Sequence, residues 1–366
     1  MKWNWQQTDW PNWEFDSSKL QASEEAFLLH AGKLSGALEY MRDSEKLDIQ
    51  IKLLGDEAVT TSEIEGEYLD RVSVQSSLQR KFGMKADTKS SKAENGIAEL
   101  MMDCFTHFDR PLTHEVLFAW HEMICGGRRD LEHIGSYRTH PDPMQVVSGS
   151  VDRIKVHFEA PPSDQVPREM DRFLEWLASE QLGVLTKAAI AHLYFVSIHP
   201  FEDGNGRIAR ALCEQVFAQV LGRPSFTTLS RQIERTKSEY YEMLASNNMT
   251  MQIQGWIEWF AQTALEAQQY ALGLIGFTIR KAQILEDLRG QVNDRQMKVL
   301  LRLFDAGPEG FSGGLSAANY MKITDAPIST TTRDLAHLVK LGVLKRTGER
   351  KSTRYWLVGG VATSGK

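Results

Sequence analysis

Cysteine is scarce: Cys104, Cys125 and Cys213 are the only three in 366 residues. Their number is odd and none stands in a CxxC pair, so neither a disulfide framework nor a zinc site is indicated, and a reducing compartment is expected. No apolar run approaches the length that spans a bilayer, so no membrane partner is expected. Residues 1–13 hold four tryptophans and no apolar stretch, which is not the pattern of a signal peptide. A cytoplasmic location is expected. Positive charge is not in excess either. The net charge of −6 gives no global attraction to nucleic acid, and any such role needs a local basic patch. What is present is ordinary for a globular protein, 42% hydrophobic and 25% charged residues, in a chain long enough for two or three domains.

The most informative stretch is His199-Pro200-Phe201-Glu202-Asp203-Gly204-Asn205-Gly206-Arg207-Ile208-Ala209-Arg210. An apolar helix over 185–198 leads in, and a second helix over about 206–221 leads out. Two glycines at a helix start let backbone amides approach an anion closely, where the helix dipole favours negative charge. Arg207 can neutralise a phosphate, and Asp203 can hold a magnesium ion against phosphates. His199 is the side chain whose ordinary pKa lies near neutrality. These parts suit a polyphosphate cradle with a metal site and a general base. A lone His-Pro would be no more than a helix end.

Every specified position of this stretch fits the Fic family signature, HPFxDGNGRxxR, which it resembles. The resemblance implies a mainly α fold: a Fic-type helical core with a small β-hairpin flap. It also implies transfer of a nucleotide, usually AMP from ATP, onto a Ser, Thr or Tyr hydroxyl of a target protein and of the enzyme itself. In that reading His199 is the base, Asp203 holds Mg2+, and Glu202, Asp203, Gly204, Asn205, Gly206, Arg207 and Arg210 contact ATP. The amides of Gly204 and Gly206 and the Asn205 side chain hold the inner phosphates, and the two arginines hold the outer ones. Phe201 is expected to anchor the loop in the core. Homodimerisation is a family-level expectation.

The rest of the chain is read around that loop. Trp3, Trp5, Trp10 and Trp13 form an arm that Pro11 keeps from being a helix, and that is expected to pack on the body. It resembles the small N-terminal domain of one group of bacterial Fic proteins. Helical spacing predicts helices over 18–42 and 44–64. The second ends on Thr61-Ser62-Glu63-Ile64-Glu65-Gly66-Glu67, with Gly66 as a stop. Acids at a helix C-terminus run against its dipole, which hints at a partner for Glu65. Thr61, Glu65 and Gly66 resemble the family's inhibitory motif, whose glutamate pairs with the last arginine of the signature, here Arg210. Residues 72–82, 93–108 and a stretch capped by Thr113 are further helices. Two extended runs around Ser148-Gly149-Ser150 predict a hairpin. In the family a hairpin flap there holds a target segment, with Val146 and Val147 as the facing residues. A helix over 230–245 resembles the wall of the family's adenine pocket, with Tyr241 and Asn248 at matching positions. Residues 252–289 complete the bundle, with Gly273 and Gly276 as an irregularity or hinge.

From about 291 the pattern becomes helix, helix, helix, hairpin, with Asn293 or Asp294 and Ser329 as caps. This resembles a winged-helix (α+β) domain. Lys345, Arg346, Arg350, Lys351 and Arg354 give its hairpin a basic face, to which Arg333, His337 and Lys340 can add; the partner is DNA or a protein. The expected domains are 1–92 (arm and helices, including the inhibitory one), 93–289 (catalytic core) and 290–366 (winged helix). Two alternatives stand beside AMP transfer. One is a Fic enzyme that removes AMP or uses another phosphate donor. The other is a nucleotide-sensing DNA-binding regulator.

Overall fold

The apolar, unbroken run before the loop becomes the centre of the fold. A computed structural model of the chain describes residues 2–148, 155–308, 310–311 and 313–358. Nearly all regular structure among them is helical, with two antiparallel hairpins, so the mainly α class is the one observed. The described residues divide into two compact units: residues up to 36 with 50–271, and 37–49 with 272 onward. Residues 50–92 fall in the same compact unit as 93–271. The side chains of 50–92 pack with the core, as Ser77 Oγ does in donating to Asn95 Oδ1 at 2.7 Å.

The first unit is built from most of α1 (Gln21–Glu39), the later part of α2 (Asp43–Ile64), α3 (Arg71–Lys81), α4 (Lys92–Thr106), α5 (His114–Cys125), a hairpin of β1 (Gln145–Ser148) and β2 (Lys155–Glu159), α6 (Val166–Ser179), α7 (Val184–Ile198), α8 (Asn205–Leu221), α9 (Leu229–Arg235), α10 (Lys237–Asn247) and the first part of α11 (Gln254–Asp287). All of α7 except Lys187 and Val196 is buried, as expected of a helix that is apolar all round. Two of its buried polar side chains are paired: His192 Nε2 with Tyr240 Oη at 2.9 Å, and Ser197 Oγ with the amide of Asn4 at 2.9 Å. The arm packs onto the body and contains one 3-10 turn, Asn4–Gln6. Trp10 meets Tyr194 edge-on at 5.0 Å and its Nε1 donates to Glu169, while Trp3 meets Phe158 of β2.

Two predicted helices differ from the pattern. The helix expected over 230–245 breaks at Thr236 into α9 and α10. Thr236 Oγ1 donates back to Gln232 O, the local bonding by which Thr competes with helix continuation. The expected irregularity at Gly273 and Gly276 does not occur, and α11 runs unbroken through both.

In the second unit, α12 (Asp294–Asp305), α13 (Ala317–Thr324) and α14 (Ile328–Lys340) precede an antiparallel hairpin of β3 (Leu344–Thr347) and β4 (Arg354–Leu357). Val299, Leu303, Tyr320, Leu335, Leu338 and Leu344 lie in its core, joined by Phe277 and Leu288 of the α11 end. That packing puts the unit's border before 272 rather than at 289/290. Asn293 caps α12 by accepting from Gln296 N at 3.0 Å. Ser329 is not a cap: the first bond of α14 runs from Thr331 N to Pro327 O, so the helix starts two residues earlier.

Candidate active site

The loop 199–204 joins α7 to α8, and its shape follows from three local features. His199 ends α7 in the left-handed conformation, φ 52 and ψ 59, and Gly204 precedes α8 at φ 81. Phe201 is wholly buried and stacks on His121 with ring centroids 4.2 Å apart, so it anchors the loop as expected. Asn205 accepts from Phe201 N at 3.0 Å and donates to Phe201 O at 2.8 Å. Both ends of its amide are thereby used. These two bonds brace the turn and leave the second N–H of the amide unassigned.

His199 Nδ1 lies 3.3 Å from Val196 O. A carbonyl only accepts, so Nδ1 carries the proton and Nε2 keeps its lone pair. Burial lowers the imidazole pKa to about 4, an effect that Val196 O opposes and the nearby Arg138 cation supports. The ring is neutral at physiological pH and can take a proton.

The charged residues form a closed set. Arg210, buried at 0% exposure, donates from Nε to Thr61 Oγ1 and from Nη2 to Thr61 O and Glu65 Oε1, each at 2.8 Å. Burial opposes its charge, but the Glu65 carboxylate together with Tyr240 and Tyr241 outweighs that and its pKa is raised. Its Nη1 is buried with no partner among the described residues. Thr61, Glu65 and Arg210 are thus brought together. Glu65 Oε1 would lie 2.1 Å from a Cβ on Gly206, so the carboxylate rests directly on the first turn of α8, where an anion is favoured. Gly66, at φ 83, then reverses the chain. Glu67 follows and accepts from Arg207 Nη1 at 2.9 Å, a contact not anticipated from the sequence.

Asp203 Oδ1 accepts from Gly204 N, and its Oδ2 takes Arg128 Nη1 at 2.7 Å with Arg207 Nη2 at 3.5 Å. Burial pushes its pKa up, but Arg207, Gly204 N–H and Arg128 together hold it below the ordinary carboxylate range. A hard, anionic oxygen facing partly outward suits magnesium, which usually takes one or two carboxylates plus phosphate oxygens. Glu202 faces the other way. It accepts from Glu132 N at 2.9 Å and pairs with His133 Nδ1 at 2.6 Å. Glu132, His133 and Glu202 bring ligand-type atoms within 4.8 Å of one another, but His133 already uses Nε2 on Thr139 as well.

Tyr241 and Asn248 each bond a backbone carbonyl of a neighbouring element. Tyr241 Oη donates to Ile64 O at 3.1 Å, and Lys237 Nζ to Glu63 O at 3.3 Å, so α10 holds the last carbonyls of α2. Burial, then Glu65, raises the Tyr241 pKa to about 12. Asn248 Nδ2 donates to His157 O in β2. Val146 and Val147 lie exposed on β1, with a bulge between them. The residues expected at the hairpin tip, Gly149 to Ile154, lie outside the described residues. Arg138, which the sequence reading passed over, donates from Nε to His199 O at 2.8 Å.

Residues 111–217 match the model of the Fic/DOC family, and residues 3–84 match a domain of unknown function, DUF4172. The chain is 30% identical over 190 residues to a protein adenylyltransferase Fic of Drosophila mojavensis, and 31% identical over 193 residues to one of Drosophila grimshawi. Each match covers 50% of this chain and 35% or 36% of the relative, so the chain spans about a third of the relatives' length. A solved Fic family protein from Desulfovibrio desulfuricans superposes with a TM-score of 0.52 at 20% identity, covering 95% of this chain and 98% of that one. A Fic domain containing signaling protein from Bacteroides thetaiotaomicron gives 0.50 at 19%, covering 69% and 97%. These two likenesses concern the fold. Residues 111–217 are a Fic/DOC domain. Among the described residues no helix is long and apolar enough to cross a membrane.

Proposed function

We propose that this chain transfers AMP from ATP to hydroxyl groups of a target protein and of itself. The observation that carries the reading is His199 at the start of the turn, neutral and with Nε2 unprotonated, beside two buried arginines and an ionised aspartate. The matched relatives named protein adenylyltransferase support the choice of donor. His199 Nε2 takes the proton of the attacking Ser, Thr or Tyr hydroxyl as its oxygen bonds to the α-phosphorus. The bond from that phosphorus to the bridging oxygen breaks and pyrophosphate leaves. Arg207 and Arg210 neutralise the departing phosphates, and the backbone at Gly204 and Gly206 lets them approach α8. Magnesium, held by Asp203, would supply further charge neutralisation on the phosphates. Tyr241 and Asn248 border the adenine, and Val146 and Val147 hold an extended target segment by strand addition.

In this conformation the site is self-inhibited. Glu65 occupies Arg210 and rests on Gly206, and Glu67 occupies Arg207. The Glu65 carboxylate, just past the end of α2, stands where the outer phosphates would be bound. Releasing the end of α2 is then the condition for productive binding, and a modest bias toward the paired form keeps most molecules inactive.

Wild type, Glu65→Gly and His199→Ala incubated with α-labelled ATP, magnesium and a cell lysate test this. Label in Glu65→Gly, weak label in wild type and none in His199→Ala is the expected result. Absence of label in all three, with ATP bound, overturns AMP transfer. AMP removal, with Glu65 positioning a water, is then tested on an AMP-modified substrate. The second reading, a DNA-binding regulator, draws on the exposed Lys345, Arg346 and Arg350 of the C-terminal unit, which we read as a winged helix. A salt-dependent shift of duplex DNA tests it. Homodimerisation and a cytoplasmic location complete the proposal, the first tested by sedimentation and the second by fractionation.

A further inference from the structure

Arg138 is a buried cation with an unusual set of partners. It is 1% exposed, and among the described residues it pairs with no carboxylate. Its partners are carbonyl oxygens. Nε donates to His199 O at 2.8 Å, and Nη2 donates to Pro161 O at 2.6 Å and to Ile198 O at 3.5 Å. Its backbone N–H donates to Pro200 O at 3.0 Å. Burial lowers the guanidinium pKa to about 10, so it stays charged at neutral pH.

A lone buried charge is costly unless something compensates it. Here the compensation comes from the end of α7. Its last carbonyls have no partner within the helix and form the negative pole of the helix dipole. Arg138 caps that pole from inside the protein. The capped residue is the one with the unfavourable backbone. His199 sits at φ 52, in the left-handed region that a non-glycine side chain holds only when its surroundings enforce it. A rotation out of that region would carry the carbonyl from Arg138 and the imidazole from Val196 O together.

The same guanidinium reaches the hairpin. Pro161 follows β2 by two residues, and Arg138 precedes β1. Neighbouring residues close the same wall: Gly135 N donates to His121 Nδ1 at 3.1 Å, and Tyr137 packs on Phe201 with centroids 5.4 Å apart. One side chain thus joins the root of the β1–β2 hairpin to the peptide that aims the imidazole.

We propose that Arg138 is a positioning residue for His199, fixing the peptide that orients the imidazole and tying it to the root of the hairpin. This rests on His199 being the base of the transfer. The charged groups that face His199 are Arg138 itself, Glu65 from the turn after α2 and Asp203 from the loop.

The test uses the full-length Glu65→Gly protein as parent, with Arg138→Met and Arg138→Lys added singly. Three quantities are read: kcat for AMP transfer, affinity for ATP, and the titration of the His199 ring by nitrogen-15 NMR, assigned with His199→Ala. Arg138→Met is expected to lower kcat about tenfold or more while ATP affinity stays within about twofold. It is also expected to raise the His199 titration point by about one unit, because a like charge has gone. Arg138→Lys keeps charge without the fork and falls between. An Arg138→Met protein that melts like the parent and keeps its kcat overturns the proposal. So does a loss that lies wholly in ATP affinity. Should Arg138→Met not fold, Arg138→Lys decides on the same criteria, parental kcat overturning and reduced kcat supporting. Should the parent itself transfer nothing, the AMP-transfer reading fails separately. The His199 titration then decides, and an unmoved value overturns the role of Arg138.

Discussion

Two regions of this molecule carry several basic residues within a short span, and they treat them in opposite ways. In the loop and α8, Arg207 and Arg210 are 5% and 0% exposed, and each meets a named carboxylate. On the C-terminal hairpin, Lys345, Arg346 and Arg350 stand in solvent. Desolvating a guanidinium is expensive, and the chain does it only where partners are already arranged. An exposed lysine or arginine costs almost nothing and is correspondingly uninformative. Buried charge in the first region therefore specifies a site, while exposed charge in the second specifies only a tolerant surface.

The strongest way to break this contrast is to remove the group that the buried charges surround. His199→Ala in the Glu65→Gly background should lower transfer by about 10²–10⁴-fold, the usual worth of a general base, with ATP affinity within about twofold. Retained transfer would mean that the loop's charges serve binding alone. Next in size is Glu65→Gly itself. It frees Arg210 and uncovers Gly206, and transfer should rise about 10–100-fold, a range that discounts the pair for the partial exposure of Glu65. An unchanged rate would show that the pair is structural.

Glu67 sharpens the comparison within the site. It pairs with the other buried arginine but is 39% exposed, so its grip is weaker than that of Glu65. Glu67→Gln alone should change transfer little, because Glu65 still holds Arg210. Added to Glu65→Gly it should raise the rate a further 2–5-fold, roughly the worth of a partly screened pair. A full double-mutant cycle measures the coupling. An equal effect of Glu67→Gln in both backgrounds would show that the two contacts act independently.

The pH dependence of the activated variant follows from the burial of His199. With its pKa lowered to about 4, the ring stays unprotonated well below neutrality. Transfer by Glu65→Gly should be nearly flat from about pH 8 down to about pH 5.5, whereas an unshifted histidine would lose about tenfold there. The same shift acts on folding. Below about pH 6.5 the unfolded chain takes up a proton at this position that the folded chain does not, so this contribution to stability is lost as pH falls toward 4. The folded fraction, read by circular dichroism at each pH, separates the two effects. An acidic limb centred near 6.5 with the protein folded would contradict the buried, neutral ring.

How much of this could be read beforehand depends on distance along the chain. The loop was legible because its parts lie within twelve positions between two strong helices. The link from Thr61 and Glu65 to Arg210 came from a resemblance, since nothing local joins residues 145 positions apart. Glu67 and Arg138 were not legible. The direction of Glu67 depends on the reversal at Gly66. The partners of Arg138 are backbone carbonyls, which no side-chain pattern marks. Orientation within the loop was equally hidden. Neighbouring Glu202 and Asp203 face opposite ways, one toward His133 and the other toward Arg128 and Arg207. In the C-terminal unit the helices and hairpin were legible from periodicity, but Ser329 misled because Pro327 already supplies the first helical acceptor.

The smallest expected effect tests the other side of the contrast. Lys345→Glu with Arg346→Glu reverses two exposed charges on β3 while leaving Leu344 in the core. Stability should move by no more than about 0.5 kcal/mol per substitution, the usual scale for surface changes, as read from the thermal midpoint. Transfer by the Glu65→Gly protein should stay within about twofold. If the basic face has a nucleic-acid partner, the double reversal removes a DNA shift and flattens its salt dependence, because each lost phosphate contact releases fewer counterions. A large fall in transfer would instead show that exposed charge on this hairpin bears on the reaction, and burial would then no longer separate the residues that act from those that merely solvate the surface.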